Sequence, residues 1–200
     1  MRTDTEVTRQ NLINAFCILA EKKPVQKITI RELVGKAGYN RATFYRYFRD
    51  IYDVLEEIEG IVLSGVKENF RRNISPENFK QTFLEAFKKI QREDAIYFDI
   101  LLNPANQARF TEKLFSELSP IFMETFKLPP DNAKSKYLTG IYFVTVISAI
   151  KLWISDGRKI SVEELSKFLG EILSSGVLPA MKAAQTLMTE AASIARRMTS

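Results

Sequence analysis

Apolar residues recur at three- and four-residue intervals through nearly the whole chain, and no stretch alternates with a period of two. That spacing lines one face of an α-helix, so the pattern predicts an all-α protein. Leu12, Ile13, Phe16, Leu19 and Ala20 mark a first helix over residues 8–21. Lys22-Lys23-Pro24 ends it, because lysines suit a helix C-terminus and proline cannot continue the hydrogen-bond ladder. Thr29-Ile30-Arg31-Glu32 has the form of a capping box. It opens a second helix with Ile30, Leu33, Val34 and Ala37 inward and Gly38 as its stop. Asn40 caps a third helix over 41–48. Asp50 caps a fourth, where Ile51, Val54, Leu55, Ile58, Ile61, Val62 and Val66 repeat out to Phe70.

The rest of the chain continues in the same style. Ser75-Pro76-Glu77 is an N-cap followed by proline at the first helical position, and Phe79, Phe83, Ala86, Phe87 and Ile90 line the helix it opens. A short helix over 95–102 stops before Pro104. A longer one over 106–127 turns Phe110, Leu114, Phe115, Leu118, Phe122 and Phe126 inward, with a kink expected at Pro120. After the break at Leu128-Pro129-Pro130-Asp131, an eighth helix spans 133–155 and ends at Gly157. Ser161-Val162-Glu163-Glu164 is a second capping box, opening a ninth helix that closes near Gly176. The alanine-rich segment 179–198 is a candidate tenth. No internal repeat is present.

Composition narrows the chemistry. With 200 residues, 46% of them hydrophobic and 26% charged, the chain can bury a sizeable core as one domain with a small appendage. It contains no histidine, which removes the commonest general base and transition-metal ligand. Its one cysteine, Cys17, excludes an intramolecular disulfide framework and a cysteine-based zinc site. Cys17 lies between Phe16 and Ile18 and reads as a buried structural thiol. Neither a glycine-rich phosphate loop nor a paired-carboxylate motif appears, so the expectation is a protein that is not an enzyme and needs no metal or cofactor. The polar start of the chain does not resemble a signal peptide. The most apolar window, 140–154, is interrupted by Thr145, Ser148 and Lys151 and reads as too short to span a bilayer. A cytoplasmic location is expected.

The charge is unevenly placed. Residues 1–50 hold ten Lys and Arg against five Asp and Glu, whereas 51–200 hold nineteen of each. The whole formal charge of +5 therefore belongs to the first quarter, which suggests a small polyanion-binding module on a neutral body.

That quarter contains a capped helix, a glycine turn and a second short helix over 29–48. This is the arrangement of a helix-turn-helix, whose second helix enters the major groove of DNA. Phe44 and Phe48 are four apart and should pack inward together. Their burial turns Arg41, Ala42, Thr43, Tyr45, Arg46 and Tyr47 elsewhere. Arginine reads guanine bidentately, small side chains admit the thymine methyl, and hydroxyls bind phosphate. Asn40 leaves a positive helix N-terminus for a phosphate, and Thr29 is the N-cap of the second helix. Candidate DNA-binding residues are therefore Thr29, Asn40, Arg41, Ala42, Thr43, Tyr45, Arg46 and Tyr47. The same aromatic and basic side chains would also suit core packing and a solvated face.

These residues resemble the DNA-binding domain of the TetR/AcrR family of bacterial transcriptional regulators. The match lies in Thr29-Ile30-Arg31-Glu32-Leu33, Ala37-Gly38, Thr43-Phe44-Tyr45-Arg46-Tyr47-Phe48 and Asp53-Val54-Leu55. The resemblance implies an all-helical homodimer: an N-terminal three-helix DNA-binding domain, placed at 1–50, and a larger helical-bundle domain for effector binding and dimerisation, placed at 51–200. One position departs from the pattern. The family usually carries a phosphate-touching lysine where Ile51 stands, and Arg49 is the candidate substitute. The segment from Trp153 to Leu165 is also similar to a subclass that includes dihydroxyacetone-kinase operon activators, some of which need a protein partner.

By the resemblance, the eighth and ninth helices (133–155 and 162–175) dimerise as a four-helix bundle. Ile141, Tyr142, Val144, Thr145, Ile147, Ser148, Ile150 and Leu152 cover too much of the eighth helix for one chain's core, which agrees with that role. Phe79, Phe83, Phe87, Tyr97, Phe98, Phe110, Phe115, Phe122, Tyr142 and Phe143 are candidates to line an effector pocket, although their spacing serves an ordinary core equally. The resulting expectation is a sequence-specific regulator, most simply a repressor, that binds a palindromic operator as a dimer and answers to a small apolar effector. The alternative is a partner-dependent adaptor of the same fold with weak DNA binding of its own.

Overall fold

A computed structural model describes residues 4–74, 79–92 and 95–176. Among these residues it contains nine α-helices and no strand: α1 (Asp4–Ala20), α2 (Ile30–Ala37), α3 (Arg41–Tyr45), α4 (Ile51–Asn73), α5 (Phe79–Arg92), α6 (Ala95–Leu101), α7 (Gln107–Thr125), α8 (Ala133–Ser155) and α9 (Val162–Ser175). The Ser75-Pro76-Glu77 cap, the Phe79 side chain and the 179–198 segment lie outside the described residues.

The local signals that start and stop the helices are present as hydrogen bonds. Thr29 accepts from the Glu32 N–H at 3.3 Å, and the Glu32 carboxylate accepts from the Thr29 N–H at 3.0 Å. Ser161 and Glu164 repeat the exchange at the start of α9 (3.1 and 2.9 Å). Gly38 ends α2 in the left-handed region at φ 75°, which costs a residue without Cβ nothing. The turn between α8 and α9 puts two residues in a row in that region, Gly157 at φ 80° and the non-glycine Arg158 at φ 58°. Trp153 ties that turn down by donating its indole N–H to the Ile160 carbonyl at 2.8 Å, while the Arg158 guanidinium lies 5.6 Å from its ring.

The capping box gives a measurable expectation. Thr29→Ala removes an N-cap oxygen and should cost about 1 kcal/mol in urea denaturation. Hydrogen bonds from Lys23 and Thr29 lower the Glu32 carboxyl from an ordinary 4.5 to about 2. Its contribution is therefore complete above pH 4.5 and is lost as pH falls through about 2. The Thr29→Ala penalty should shrink across that same interval, and an unchanged penalty at low pH would remove Glu32 from the cap.

The chain forms two compact units. One comprises residues 1–72 and 89–120, the other 73–88 and 121–200. Nearly all of α4, together with α6 and most of α7, clusters with the N-terminal helices. The core of the first unit contains Leu12, Phe16, Leu33, Phe44, Val54, Ile58 and Leu101, all fully buried, together with Cys17. Burial pushes the Cys17 thiol up to about 12, so it stays protonated and inert. The second unit is built around aromatic rings. Phe83 meets Phe87 and Tyr142 at 6.1 Å, Phe122 meets Tyr142 and Phe126 at 4.5 Å, and Phe87 meets Trp153 at 6.2 Å. Phe98 and Phe110 form a separate edge-on pair in the first unit. The aromatic residues proposed as a pocket lining thus divide between two cores.

Several boundaries differ from the sequence pattern. Among the described residues α1 already includes Asp4, four residues ahead of the start read from the pattern, and the Asp4 carbonyl accepts the Thr8 hydroxyl at 2.9 Å. A 3-10 turn, Val25–Lys27, buries Val25 between α1 and α2. Pro120 sits inside α7 without ending it.

Helix α8 is 23 residues long and apolar enough, by length and composition, to cross a membrane, contrary to the shorter window read from the sequence. Its packing is two-sided. Tyr142, Phe143, Ile150 and Trp153 are buried within their own unit, whereas Leu138, Ile141, Val144 and Leu152 are 56, 64, 58 and 69% exposed.

Candidate nucleic-acid interface

The short helix α3 owes its position to what precedes it. Gly38 reverses the chain, and the Tyr39 N–H returns to the Val34 carbonyl at 2.9 Å. The Tyr39 hydroxyl is held from α1 by the Asn11 amide at 3.0 Å. That bond lowers the phenol below its usual range. Asn40, in extended backbone, then accepts from the Thr43 N–H at 2.8 Å and from the Thr43 hydroxyl at 3.2 Å. Phe44 and Phe48 are both buried, with ring centroids 5.8 Å apart. These contacts fix the rotation of α3 about its axis.

With that rotation fixed, the remaining side chains have defined places. Arg41, Ala42, Tyr45 and Arg46 are exposed, and Thr43 and Tyr47 are half-buried. Tyr45 stands 59% exposed, edge-on to Phe44 at 5.6 Å. Thr29 and Asn40 are exposed, and both polar oxygens are engaged in caps, so these two residues orient helix N-termini. The regular helix ends at Tyr45, three residues earlier than the sequence pattern suggests. The N–H groups of Arg46 and Tyr47 bond three residues back, to Thr43 (3.2 Å) and Phe44 (2.9 Å). This tightening to 3-10 geometry lets the chain turn into α4, where Asp50 accepts from the Asp53 N–H at 2.8 Å.

The electrostatics are one-sided. No acidic residue lies between Glu32 and Asp50, whereas Lys36, Arg41, Arg46 and Arg49 fall in that stretch. Arg9 pairs with Glu57 at 2.7 Å, Lys23 with Glu32 at 2.6 Å and Arg49 with Asp53 at 2.9 Å. No carboxylate of the described residues lies within ion-pair distance of Lys22, Lys27, Arg31, Lys36, Arg41 or Arg46. Lys27, Arg31 and Lys36 are exposed cations of the same module that the motif alone does not single out; counting their carboxylate partners does. Two exposed helix starts and a set of uncompensated cations are what a phosphate backbone requires, and exposed Arg and Tyr on the second helix suit base edges. Among the described residues no cluster of three or more metal-ligating side chains occurs.

Two family models match this chain. "Bacterial regulatory proteins, tetR family" covers residues 12–58, and "Transcriptional regulator C-terminal region" covers 77–175. An uncharacterised HTH-type transcriptional regulator of Bacillus subtilis is 24% identical over 173 residues, covering 80% of this chain and 43% of that protein. The chain thus spans less than half of that relative's length. An HTH-type transcriptional regulator of Staphylococcus aureus is 22% identical over 177 residues, covering 84% of this chain and 94% of its own. Among solved structures, a TetR transcriptional regulator of Streptococcus agalactiae has a TM-score of 0.62 at 23% identity, covering 84% of this chain and 94% of that one. SmeT, repressor of the Stenotrophomonas maltophilia multidrug efflux pump SmeDEF, has a TM-score of 0.66 at 15% identity, covering 86 and 90%. The dihydroxyacetone kinase operon activator DhaS has a TM-score of 0.57 at 18% identity, covering 84 and 94%. At such identities these structures establish the fold alone, and the similarity to DhaS does not single out its subclass.

Proposed function

Because the chain belongs to the TetR family of bacterial regulators, we propose that it is a cytoplasmic, sequence-specific repressor that binds a palindromic operator as a homodimer. The observation that carries this reading is the exposed, acid-free surface of α3, with Arg41 and Arg46 uncompensated beside the Asn40 cap. Residues 1–50 supply the DNA module and 51–200 the body. Arg41, Ala42, Tyr45 and Arg46 meet bases or phosphates in the major groove, Thr43 and Tyr47 flank them, and Thr29 and Asn40 aim helix N-termini at the backbone.

The homodimer forms through α8 and α9. Support comes from the stripe of Leu138, Ile141, Val144 and Leu152, joined on α9 by Phe168 at 47% exposure. A two-fold axis places one such stripe against its copy. The effector is a small apolar molecule. The ring cluster of Phe83, Phe122, Tyr142 and Phe143 offers it aromatic faces, and it enters only as those rings turn aside.

Selection of duplexes from a random pool tests the proposal. A two-fold symmetric consensus is expected, with half-sites about one helical turn apart and an affinity that falls steeply as salt rises. Recovery of no consensus favours the second reading, a partner-dependent adaptor with weak DNA binding. The observation behind that reading is Ile51, buried where the family usually presents lysine, with Arg49 beside it occupied by Asp53.

A further inference from the structure

Six charged side chains form a continuous ladder between α4 and α7, in the unit that also holds the helix-turn-helix. At its lower end, Arg49 donates to the Asp53 carboxylate at 2.9 Å and lies 4.0 Å from Glu56. The other oxygen of Glu56 lies 3.7 Å from Arg109 on α7. Arg109 also donates to Glu59 at 3.2 Å, and Lys113, one turn further along α7, reaches the same Glu59 oxygen at 3.5 Å. Glu59 is only 1% exposed, so a buried carboxylate with two cations anchors the upper end. Residues 49, 53, 56 and 59 fall at spacings of four, three and three, which keeps them on one face of a helix.

Arg49 lies four residues beyond the end of α3, with 80% of its side chain exposed. It is the one arginine on the rim of the reading helix that carboxylates of the described residues hold. Asp53 is locked in place, since its second oxygen accepts the Arg49 N–H at 2.8 Å. Glu56 is half-exposed and shared between two guanidinium groups. Its charge is therefore divided between Arg49, in the turn after α3, and Arg109 on α7.

Resting on the reading of α3 as the DNA-reading helix, we infer that Glu56 and Arg109 set the affinity of the module for DNA phosphates. Glu56 competes with phosphate for Arg49, and Arg109 draws Glu56 away. Arg109 is a positioning residue: it lies on α7, outside the helix-turn-helix, and acts on DNA only through Glu56. The arrangement keeps binding to arbitrary duplex low without removing a cation from the interface, and a movement of α7 changes DNA affinity by changing how Glu56 is shared.

The experiment titrates full-length protein with a short random-sequence duplex and with the selected operator, at low and at high salt. Glu56→Gln should tighten both complexes by about two- to fivefold, the range of an exposed ion pair, and equally, because phosphates carry no sequence. Arg109→Gln should weaken both by a similar factor. The decisive measurement is the pair of changes together: in the Glu56→Gln background, Arg109→Gln should lose its effect. High salt should flatten all of these differences. Arg109→Gln leaves Glu59 with Lys113 alone, so the double variant Arg109→Gln, Glu59→Gln, in which the buried site is uncharged, should reproduce the weakening if the chain remains folded.

Glu56→Gln indistinguishable from wild type on both duplexes overturns the inference and leaves the DNA reading standing. The inference fails equally if Arg109→Gln weakens binding undiminished in the Glu56→Gln background. A wild-type protein that binds no duplex at all overturns both.

Discussion

The chain carrying Tyr45→Ala and Arg46→Ala should fail to retard the duplex that wild type selects, while keeping its helicity and its dimer. Both side chains are exposed at the end of α3, and neither is one of the two buried rings, Phe44 and Phe48, that seat the helix, Tyr45 meeting Phe44 only edge-on. Each good bidentate arginine contact discriminates by about 1–3 kcal/mol, and a symmetric complex loses it in both half-sites. The expected loss of operator affinity is at least about a hundredfold, with random-duplex affinity falling much less because the other cations of the module remain. Gel retardation on both duplexes, beside circular dichroism, separates these effects. Wild-type retardation by the double variant would remove α3 from the interface. Phe44→Ala is the useful contrast: it deletes a fully buried ring and should cost about 3–5 kcal/mol of stability, abolishing binding through unfolding.

The second large effect concerns assembly. Ile141→Asp combined with Val144→Asp puts two carboxylates on the uncovered stripe of α8, where the wild-type side chains are 64 and 58% exposed in the single chain. Within one chain these aspartates stay in water, so the fold should survive. Across a two-fold axis four such charges would be brought together in an apolar seam, and each unpaired buried charge costs several kcal/mol. The dimer dissociation constant should rise at least about a thousandfold, leaving a folded monomer by analytical ultracentrifugation. Operator retardation should fall with it, although residues 1–50 are untouched. A double aspartate variant that sediments as wild type would move the dimer face off α8.

What the sequence makes legible follows a physical division. Helix starts and stops are local decisions, and they read well: both capping boxes, the Asn40 and Asp50 caps, the Gly38 stop and the full extent of α8 stand where residue types within one turn put them. The rotation of α3 is also readable, because two phenylalanines four apart leave one choice of buried face. Contacts between distant segments are not. Glu59 sits with Arg109 and Lys67 with Glu117, each pair fifty residues apart, and a helical period carries no information about which helix lies opposite. The grouping of α6 and much of α7 with the N-terminal helices escapes for the same reason. The early end of α3 needs a further piece, the direction in which α4 departs. On α8, composition shows only that apolar residues surround the axis. Which of them the neighbouring rings cover and which stay bare is a matter of packing.

The bare stripe on α8 also bears on gene dosage. If two chains must meet before either can hold a two-part operator, occupancy below the dimer dissociation constant follows the square of the chain's concentration. Halving the copy number then leaves roughly a quarter of the assembled form. A cell inheriting few copies at division would lose the assembled form faster than it loses the chain itself. The steepness would come from four aliphatic side chains and their distance from saturation.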